Sequence, residues 1–544
     1  MLKAKWRRFR HSLLFDHPQL RKEHPSYRWL VLMGVMIATF MSVLDSTIVN
    51  VALSKLMASF GVSVDRVEWV MTAYLLAFGV ILPVSGWIAD HWGYKLVFTS
   101  GLLLFTGASF LCSLAWSLEM LISARILQGI GAAILMPVGM AIITREFPPE
   151  KRGIALAFWS MAASASVSLG PTIGGWLIDH YSWHAVFDVN VPIGIVGILA
   201  AVVILHEYRT PHTRTFDSVG FVTLVGFLTP LLLALSSGNS AWNTGGWTSN
   251  YILTCFSISI VSLVIFLVTE FTVEHPLIAV DLFKDVNFSM CNLVGFLFGL
   301  GMFGSTFLLP IYLQESLGYT PLQAGMVFLP VGVLQAAAAP LAAVFAARFS
   351  PKIPIVIGIV LMAITFYQFS TLSYLSESHA ITTPLMIRGF AMGVLFAPLT
   401  ALAIGNITHF KIAQASGLLN VIRQIGGSFG VALFGSLLTR RTIFHLTTYG
   451  QQINTNSETF QRTVRQLGFH AWQTTGGTLV DATARGKAQI GSFVANQAFV
   501  SAIDDVFLLA GAVILLGVVP ILFVRIRKGK KRGPGTKPAI AIQE

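Results

Sequence analysis

The chain has 544 residues, of which 54% are hydrophobic and only 11% are charged, and its formal net charge is +12. Soluble globular domains carry about 25% charged residues, so this composition excludes an ordinary water-soluble protein and indicates a surface that faces lipid. The basic residues crowd the two tails and certain short loops, which the positive-inside rule explains better than nucleic-acid binding. The 3 cysteines have no zinc or redox spacing, and the 13 histidines have no metal spacing.

Fourteen apolar runs of about twenty residues follow one another along the chain, separated by polar breaks. Runs of this length match the hydrocarbon thickness of a bilayer, so each is predicted to be a membrane-spanning helix. The fold class is therefore predicted to be an all-α polytopic membrane protein. The spanners are predicted at about 29–53, 67–88, 96–115, 119–143, 154–178, 185–205, 217–236, 251–270, 288–313, 322–347, 354–374, 383–404, 415–438 and 504–524.

Lys and Arg distinguish one side of the predicted bundle. Both tails, 1–28 and 526–544, are basic, and so are the loops after the even-numbered spanners. Because cytoplasmic loops carry an excess of Lys and Arg, both tails are expected in the cytoplasm, which requires an even number of spanners. This topology puts the long polar stretch 439–503 outside, and long loops translocate largely regardless of charge. Within it, 457–470 and 486–503 are expected to form helices.

One acid, Asp45, lies within the first predicted spanner, in the segment FMSVLDSTIVNV at 40–51. A carboxyl group at membrane depth costs about 2.5–3.5 kcal/mol on insertion scales, so it is a functional candidate. Arg125 lies near the start of spanner four, at a similar expected depth. Burial disfavours the charged form of an acid and a neighbouring Arg favours it, so the pair can take up and release a proton. A permanently ionised structural pair is the alternative.

A short loop between spanners two and three reads GWIADHWGYK. It contains Gly86, Asp90, Gly93 and Lys95. Its glycines allow a tight turn and close helix approach, and its acid can accept backbone N–H groups or pair with a base. An ordinary polar turn is the alternative.

Spanners four and five combine small residues with a proline. RILQGIGAAILMP at 125–137 gives spanner four a small-residue face for close packing, and Gln128, one turn from Arg125, can line a cavity. Spanner twelve has a weakly similar pattern, an arginine followed by a proline, at Arg388 and Pro398. The string GPTIGG in spanner five contains Gly170, Pro171, Gly174 and Gly175. Its proline frees a backbone carbonyl and kinks the helix. Packing alone is the alternative for both strings.

Spanner thirteen carries the polar residues Asn420, Arg423 and Gln424. An Arg at membrane depth needs a partner or a wet cavity, so these three are candidates for lining a central cavity. Apolar substrate would be buried against aromatic and thioether side chains of the first, second and fourth spanners. The candidates there are Phe40, Tyr74 and Met136.

Taken together, these strings resemble the major facilitator superfamily, and within it the fourteen-spanner drug:proton antiporters of the EmrB/QacA type. The matching strings are LDSTIVNVAL at 44–53, WVMTAYLLA at 69–77, GWIADHWGYK at 86–95, RILQGIGAAILMP at 125–137, GPTIGG at 170–175, NVPIG at 190–194, LPIYLQESLGYTPLQAG at 309–325 and RQIGGSFGVALFG at 423–435. Several motifs in this order are far more specific than any one of them. The likeness covers roughly 28–438 and 490–525.

The resemblance implies two six-helix halves, 29–205 and 276–525, with an inserted pair of spanners in 206–275 and alternating access by rocking of the halves. It implies that Asp45 is a protonation site coupled to export and that Arg125 belongs to the proton relay. The loop around Asp90 would latch one conformation, and the GPTIGG glycines would shape a kinked helix where the halves meet. The loop motif has His91 and Tyr94 where the family usually has Arg.

The predicted function is proton-coupled export of amphipathic or aromatic small molecules across the bacterial inner membrane, driven by the proton gradient without a cofactor. A periplasmic adaptor and an outer-membrane channel are the expected protein partners. The sequence has no phosphate-binding loop and no nucleophile elbow, so no enzyme activity is predicted. Two alternatives stay open: an importer or lipid flippase on the same fold, and a sensor or scaffold that does not transport.

Overall fold

The computed structural model describes residues 25–208, 216–238, 242–273, 276–277, 280–373, 376, 378–407, 412–475 and 478–525. These residues fold into helices joined by short turns. The first region comprises α1 (Pro25–Ile48), α2 (Leu53–Phe60), α3 (Val64–Val67), α4 (Trp69–Trp92), α5 (Tyr94–Ser113), α6 (Leu118–Glu146), α7 (Pro149–His180), α8 (Ala185–Asp188) and α9 (Asn190–Ile204). A 3-10 turn at Val49–Ala52 joins α1 to α2, so the first apolar span continues to Phe60, beyond its predicted end.

Two helices follow, α10 (Ser218–Ser237) and α11 (Asn250–Thr272). They pack on each other, and α10 also packs on α4. Leu224 and Leu228 of α10 and Phe266 of α11 form an apolar cluster with Val80 of α4. Several large apolar side chains on the other faces of α11, such as Ile260, are exposed, as expected for a helix that faces lipid.

The last region comprises α12 (Val286–Ile311), α13 (Pro321–Met326), α14 (Leu329–Arg348), α15 (Lys352–Phe369), α16 (Ser378–Ile404), α17 (Ile412–Gln452), α18 (Glu458–Thr475), α19 (Leu479–Leu515) and α20 (Val518–Phe523). Helix α10 also packs on α17 of this region. The two large regions meet directly where α4 packs on α17 and where α7 packs on α13 and α14.

Close helix packing in the first region depends on the glycines of α6. A Cβ added to Gly129 would lie 2.6 Å from the backbone carbonyl oxygen of Tyr74 on α4. One added to Gly131 would lie 2.7 Å from the backbone nitrogen of Phe105 on α5. These distances are too short for any side chain, so the small-residue face expected in spanner four is what allows α6 to pack against both neighbours.

Thirteen helical segments within the described residues are long and apolar enough to cross a membrane, and they coincide with thirteen of the predicted spanners. The remaining prediction, 154–178, lies within α7, a helix of 32 residues that is not among those thirteen. The total of fourteen spanners therefore stays a prediction. The all-helical fold class is confirmed.

The stretch 439–503, expected to be a long polar outer loop, is mostly helical where the structure describes it. The helices anticipated at 457–470 and 486–503 are present as α18 and part of α19, and α17 extends to Gln452. The Nε atom of Arg441 donates to the Asp505 carboxylate over 2.6 Å, which ties α17 to α19. The stretch is therefore a helical extension of the bundle and not an open loop.

The two ends of the bundle are named here by residues in their turns. Gly61, Trp116 and Gly318 lie at one end, the Trp116 end, and Gly93 and Lys95 lie at the other, the Lys95 end. Successive long helices run in opposite directions between the two ends. The polar contacts between the two large regions include two at the Trp116 end. The Leu322 N–H donates to Asp179 over 3.0 Å, and Gln314 donates to the Val51 carbonyl over 3.0 Å.

Candidate functional site

Asp45 lies at the centre of a buried polar network in the first region. Its side chain is fully buried, and its Oδ2 atom accepts a 2.5 Å hydrogen bond from Arg125, forming an ion pair. Its Oδ1 atom accepts from the side-chain amides of Gln128 and Asn190, each over 2.8 Å. The Asp45 carboxylate therefore accepts three hydrogen bonds, one of them from a guanidinium.

Arg125 is held by groups other than the acid as well. Its Nε atom donates to the Val70 carbonyl over 3.0 Å, and the same Nη1 atom that binds Asp45 also donates to Gln128 over 2.6 Å. The Tyr74 ring lies 4.1 Å from the guanidinium carbon, a cation–π contact. Because Arg125 and Gln128 are three residues apart on α6, they share one helix face and reach the acid together.

Gln128 has every polar atom in a contact. Its amide nitrogen donates to Ser109 over 2.7 Å as well as to the acid, and its oxygen accepts from Arg125 and from the Cys112 thiol, the latter over 3.7 Å. The network thus joins α1, α5, α6 and the start of α9. Sequence reasoning found Asp45, Arg125 and Gln128 but missed Ser109 and Asn190. The only sequence signal for Asn190 is that it begins the NVPIG string.

The loop motif at the Lys95 end forms a different polar cluster. Gly93 has φ of +101°, a backbone conformation that other residues rarely adopt, and it separates α4 from α5. The Tyr94 hydroxyl donates to Asp90 over 2.7 Å and accepts from Arg145 at the end of α6 over 3.0 Å. Asp90 and Arg145 are 3.7 Å apart and both are partly exposed. Tyr94 therefore bridges the acid to a base on another helix.

Lys95 connects the same loop to the end of α9. Its Nζ atom donates to the Val202 carbonyl over 2.6 Å, and its backbone N–H donates to Glu207 over 3.1 Å. The Glu207 carboxyl packs directly against Gly93, while a Cβ on Gly86 would meet open space. These contacts join the first region to itself and to the short segment that follows α9. A role for the loop as a latch between conformations stays a prediction.

The GPTIGG string lies where α7 meets α1 and α13. Gly174 approaches Ile48, and Gly170 packs against the Thr47 side chain. Gly175 packs against the Pro321 carbonyl, so a methyl group there would overlap α13. Pro171 lies inside α7, and its carbonyl packs against Gly325 of α13. The string therefore forms part of the contact between the two large regions at the Trp116 end.

The candidate lining residues are divided between two environments. Tyr74 and Gln128 are buried in the network around Arg125, whereas Phe40 and Met136 are half-buried. On α17, Arg423 donates to the Asn420 side chain over 2.7 Å, and its guanidinium carbon lies 4.9 Å from the centre of the Phe396 ring. Gln424 is half-buried beside it. A substrate-lining role for these seven residues stays a prediction.

Within the part of the chain that the structure describes, no group of three or more His, Cys, Asp or Glu side chains is arranged to hold a metal ion. The Asp45 network places a buried carboxylate beside a fixed guanidinium, and a role of this pair in proton exchange stays a prediction. A helical bundle of membrane-spanning segments with two packed regions and a buried ion pair defines a polytopic membrane transporter.

Comparison with known proteins gives the family. The model of the Major Facilitator Superfamily matches residues 35–431. The chain is 32% identical over 504 residues to the multidrug export protein EmrB of Haemophilus influenzae, an alignment that covers 91% of this chain and 95% of that protein. It is 30% identical over 514 residues to the fatty acid resistance protein FarB of Neisseria gonorrhoeae, covering 94% of this chain and 97% of that protein.

Among solved structures, an inward-facing bacterial homologue of the human lysosomal transporter Spinster has a TM-score of 0.60 with 18% identity, covering 93% of this chain and 99% of that one. This likeness concerns the fold alone. The chain belongs to the Major Facilitator Superfamily and is a multi-pass membrane transport protein, not an enzyme.

Proposed function

We propose that this transporter exports amphipathic or aromatic small molecules from the cytoplasm in exchange for protons. The single observation that supports coupling is the complete burial of Asp45 in an ion pair with Arg125. The chain's similarity to proteins named for multidrug export and fatty acid resistance supports the direction and the substrate class. The proton gradient would be the energy source, with no cofactor.

The coupling would operate through the charge of Asp45. When Asp45 is ionised, Arg125, Gln128 and Asn190 all donate to it and hold α1, α6 and α9 together. Protonation removes the negative charge, so the attraction to Arg125 is lost and the guanidinium is left partly uncompensated. Because a ligand shifts a two-state equilibrium only by its differential affinity, the proton and the substrate must favour opposite-facing conformations.

The orientation that we propose puts the Lys95 end and both tails in the cytoplasm of a bacterial inner membrane. It is supported by the basic residues Lys95, Arg145 and Lys352 at that end. The polar contacts between the two regions at the Trp116 end would then close the outer side. The alternative, an importer or a lipid flippase on the same fold, would use the same residues with the opposite direction or another substrate.

The test is transport in vesicles that contain the purified protein and a fluorescent aromatic amine. We expect Asp45→Asn to insert and fold normally but to lose uphill substrate movement and substrate-dependent proton movement. Glu119→Gln is the matched control, because Glu119 is an exposed acid at the Trp116 end that pairs with Arg66. Uphill transport by Asp45→Asn at equal protein amount would contradict the coupling role. No proton movement in the unmodified protein with any substrate would favour the scaffold alternative.

We further propose that the helical extension 439–503 docks a periplasmic adaptor that leads to an outer-membrane channel. It is supported by the length of α17 and α19 beyond the apolar segments and by the exposed aromatic side chains of Phe469 and Trp472 on α18. Replacing residues 453–478 with a short flexible linker should leave vesicle transport unchanged while abolishing drug resistance in cells. Retained resistance in cells would contradict the docking role.

A further inference from the structure

A second acid, Glu68, is buried at the Trp116 end, away from the Asp45 network. It lies between α3 and α4 and has no exposed surface. Its Oε1 atom accepts a hydrogen bond from the Ser236 hydroxyl at the end of α10. Its Oε2 atom has no hydrogen-bond partner among the described residues. The sequence reading did not single this residue out.

Among the described residues, no ion pair balances a negative charge on Glu68, and Arg66 of α3, two positions before it, is exposed and paired with Glu119. Among the described side chains, the charged group that acts on it is another acid, Asp65, which is itself buried. Helix α10 has no titratable side chain, and α17 meets the carboxyl at Gly435. Farther along α17, Arg440 is exposed and Arg441 is bound to Asp505.

This environment is the reverse of the one around Asp45. A carboxylate without a cation and with one hydrogen bond is strongly disfavoured in a buried site, because a lost hydration shell must be replaced by donors. Asp45 has three donors, one of them a guanidinium, whereas Glu68 has one neutral hydroxyl. The neutral, protonated form of Glu68 is therefore the form that fits this conformation.

Glu68 also lies in the contact between the two large regions. Its carboxyl packs against the backbone of Gly435 so closely that a methyl group there would overlap it. Glu68 belongs to the first region and Gly435 to the last, and both α4 and α10 pack on α17. Separation of the two regions at the Trp116 end would therefore uncover this carboxyl to water.

We propose that Glu68 is a second proton-binding site, whose occupancy is linked to closure of the Trp116 end. The closed end holds the protonated acid against Gly435. When the end opens, water hydrates the carboxyl, and the proton leaves to that side of the membrane. Closure takes up one proton from the same side. The inference depends on the proposed function only for identifying that side as the periplasm, and it does not require Asp45 to carry a proton.

The experiment measures the opening of the Trp116 end directly. Nitroxide labels at Trp116→Cys and Thr371→Cys, two exposed positions in turns of the two regions at this end, report their separation by pulsed electron spin resonance in nanodiscs. The three native cysteines are buried, so labelling is confined to the introduced ones. In the otherwise unmodified chain, we expect the distance distribution to shift from closed to open as the pH rises.

Three variants decide whether Glu68 is the group responsible. Glu68→Gln keeps the shape of the neutral acid, so the end should stay closed at every pH and the shift should be lost. The exposed-acid control Glu119→Gln should keep the shift. A wild-type shift in Glu68→Gln, or no shift in the parent chain, would overturn the proposal. Loss of the shift only in Asp45→Asn would overturn it too, whereas loss of transport in that variant tests the proposed function separately.

A compensating pair of substitutions covers the case in which Glu68→Gln fails to fold. Gly435→Ala alone should keep the Trp116 end open, because its methyl group overlaps the carboxyl. Combining it with Glu68→Ala removes the carboxyl and lets the new methyl group occupy its space, so closure should return and be independent of pH. A double variant that still opens with rising pH as the parent does would refute the role of Glu68.

Discussion

The two large regions each bury an arginine on a helix that has a proline further along. The charge of this arginine is compensated by an acid in the first region and is not compensated within the described part of the last. Arg125 of α6 contacts Asp45, Gln128 and the Val70 carbonyl. Arg388 of α16 is 3% exposed, and its Nε and Nη1 atoms have no hydrogen-bond partner among the described residues. The centre of the Phe328 ring lies 5.9 Å from its guanidinium carbon.

This difference shows that repetition of a helix pattern does not repeat its chemistry. The first region can change its charge by protonating an acid beside a fixed cation. The last region holds a cation whose two nitrogens lack such an acid. Proton coupling is thus expected to reside in the first region, while the last region supplies a fixed positive charge and the surfaces against which the first region moves.

The largest effect is expected from breaking the compensated arginine. Arg125→Leu leaves Asp45 buried without its cation, and removing one partner of a buried ion pair typically costs about 3–5 kcal/mol. We expect a large fall in the thermal unfolding temperature, followed by tryptophan fluorescence in detergent, together with loss of uphill transport. Asp45→Asn combined with Arg125→Leu should recover much of the stability but none of the transport. A single variant as stable as the parent would contradict the comparison.

The next largest effect is expected from removing Asn190, which donates a hydrogen bond to Asp45 in the first region. Asn190→Ala removes one of three hydrogen bonds to the Asp45 carboxylate, and such bonds to charged groups contribute about 1.5–3 kcal/mol. Without this hydrogen bond the ionised Asp45 carboxylate is less stable, so Asp45 should release its proton only at a lower proton concentration. The pH profile of vesicle transport should therefore move to higher pH. Asn50→Ala is a suitable control, since the Asn50 amide donates to the Thr47 carbonyl instead. An unshifted profile would remove Asn190 from the coupling network.

Helix packing, unlike charge, should respond alike in both regions. A Cβ at Gly129 would lie 2.6 Å from the Tyr74 carbonyl oxygen, and one at Gly393 would lie 2.7 Å from the Ala338 Cβ. Overpacking of this kind costs about 1–3 kcal/mol, so both alanine variants should lower the unfolding temperature by similar amounts. Gly86→Ala is the control, because a Cβ there meets nothing within 4 Å. A fall in unfolding temperature in only one of the two alanine variants would show that the similarity between the two regions does not extend to helix packing.

The smallest effect is expected at the uncompensated arginine. Arg388→Met removes a buried charge that has no acid partner among the described residues, and apolar replacement of buried charged groups is often neutral or stabilising. We expect an unfolding temperature equal to or above that of the parent. A fall as large as that of Arg125→Leu would show that Arg388 has a compensating partner in another conformation.

Much of the fold follows from the sequence because apolar length alone determines where a helix can cross a bilayer. Thirteen of the predicted spanners match helical segments of suitable length and composition. The predicted first spanner ends too early, because Ser54 and Lys55 resemble the end of an apolar run. In the structure, the 3-10 turn at Val49–Ala52 continues the helix past them.

The candidate site could be predicted from the sequence only where a single residue was of an unusual type for its position. Asp45 and Arg125 stand out because charged residues are rare at membrane depth. Glu68 does not, because it begins a predicted spanner and resembles a solvated helix end. Its burial depends on Ser236 and Gly435, which are 168 and 367 positions away, and no local pattern indicates such contacts.

Ser236 gives the helix pair α10 and α11 a defined structural role. This hydroxyl covers Glu68 on the side where α10 lies. Without α10, the buried carboxyl would have no hydrogen-bond donor among the described residues, because its second oxygen already has none. The helix pair is therefore more than a spacer between the two large regions, since one of its hydroxyls completes the surroundings of an acid that belongs to another helix.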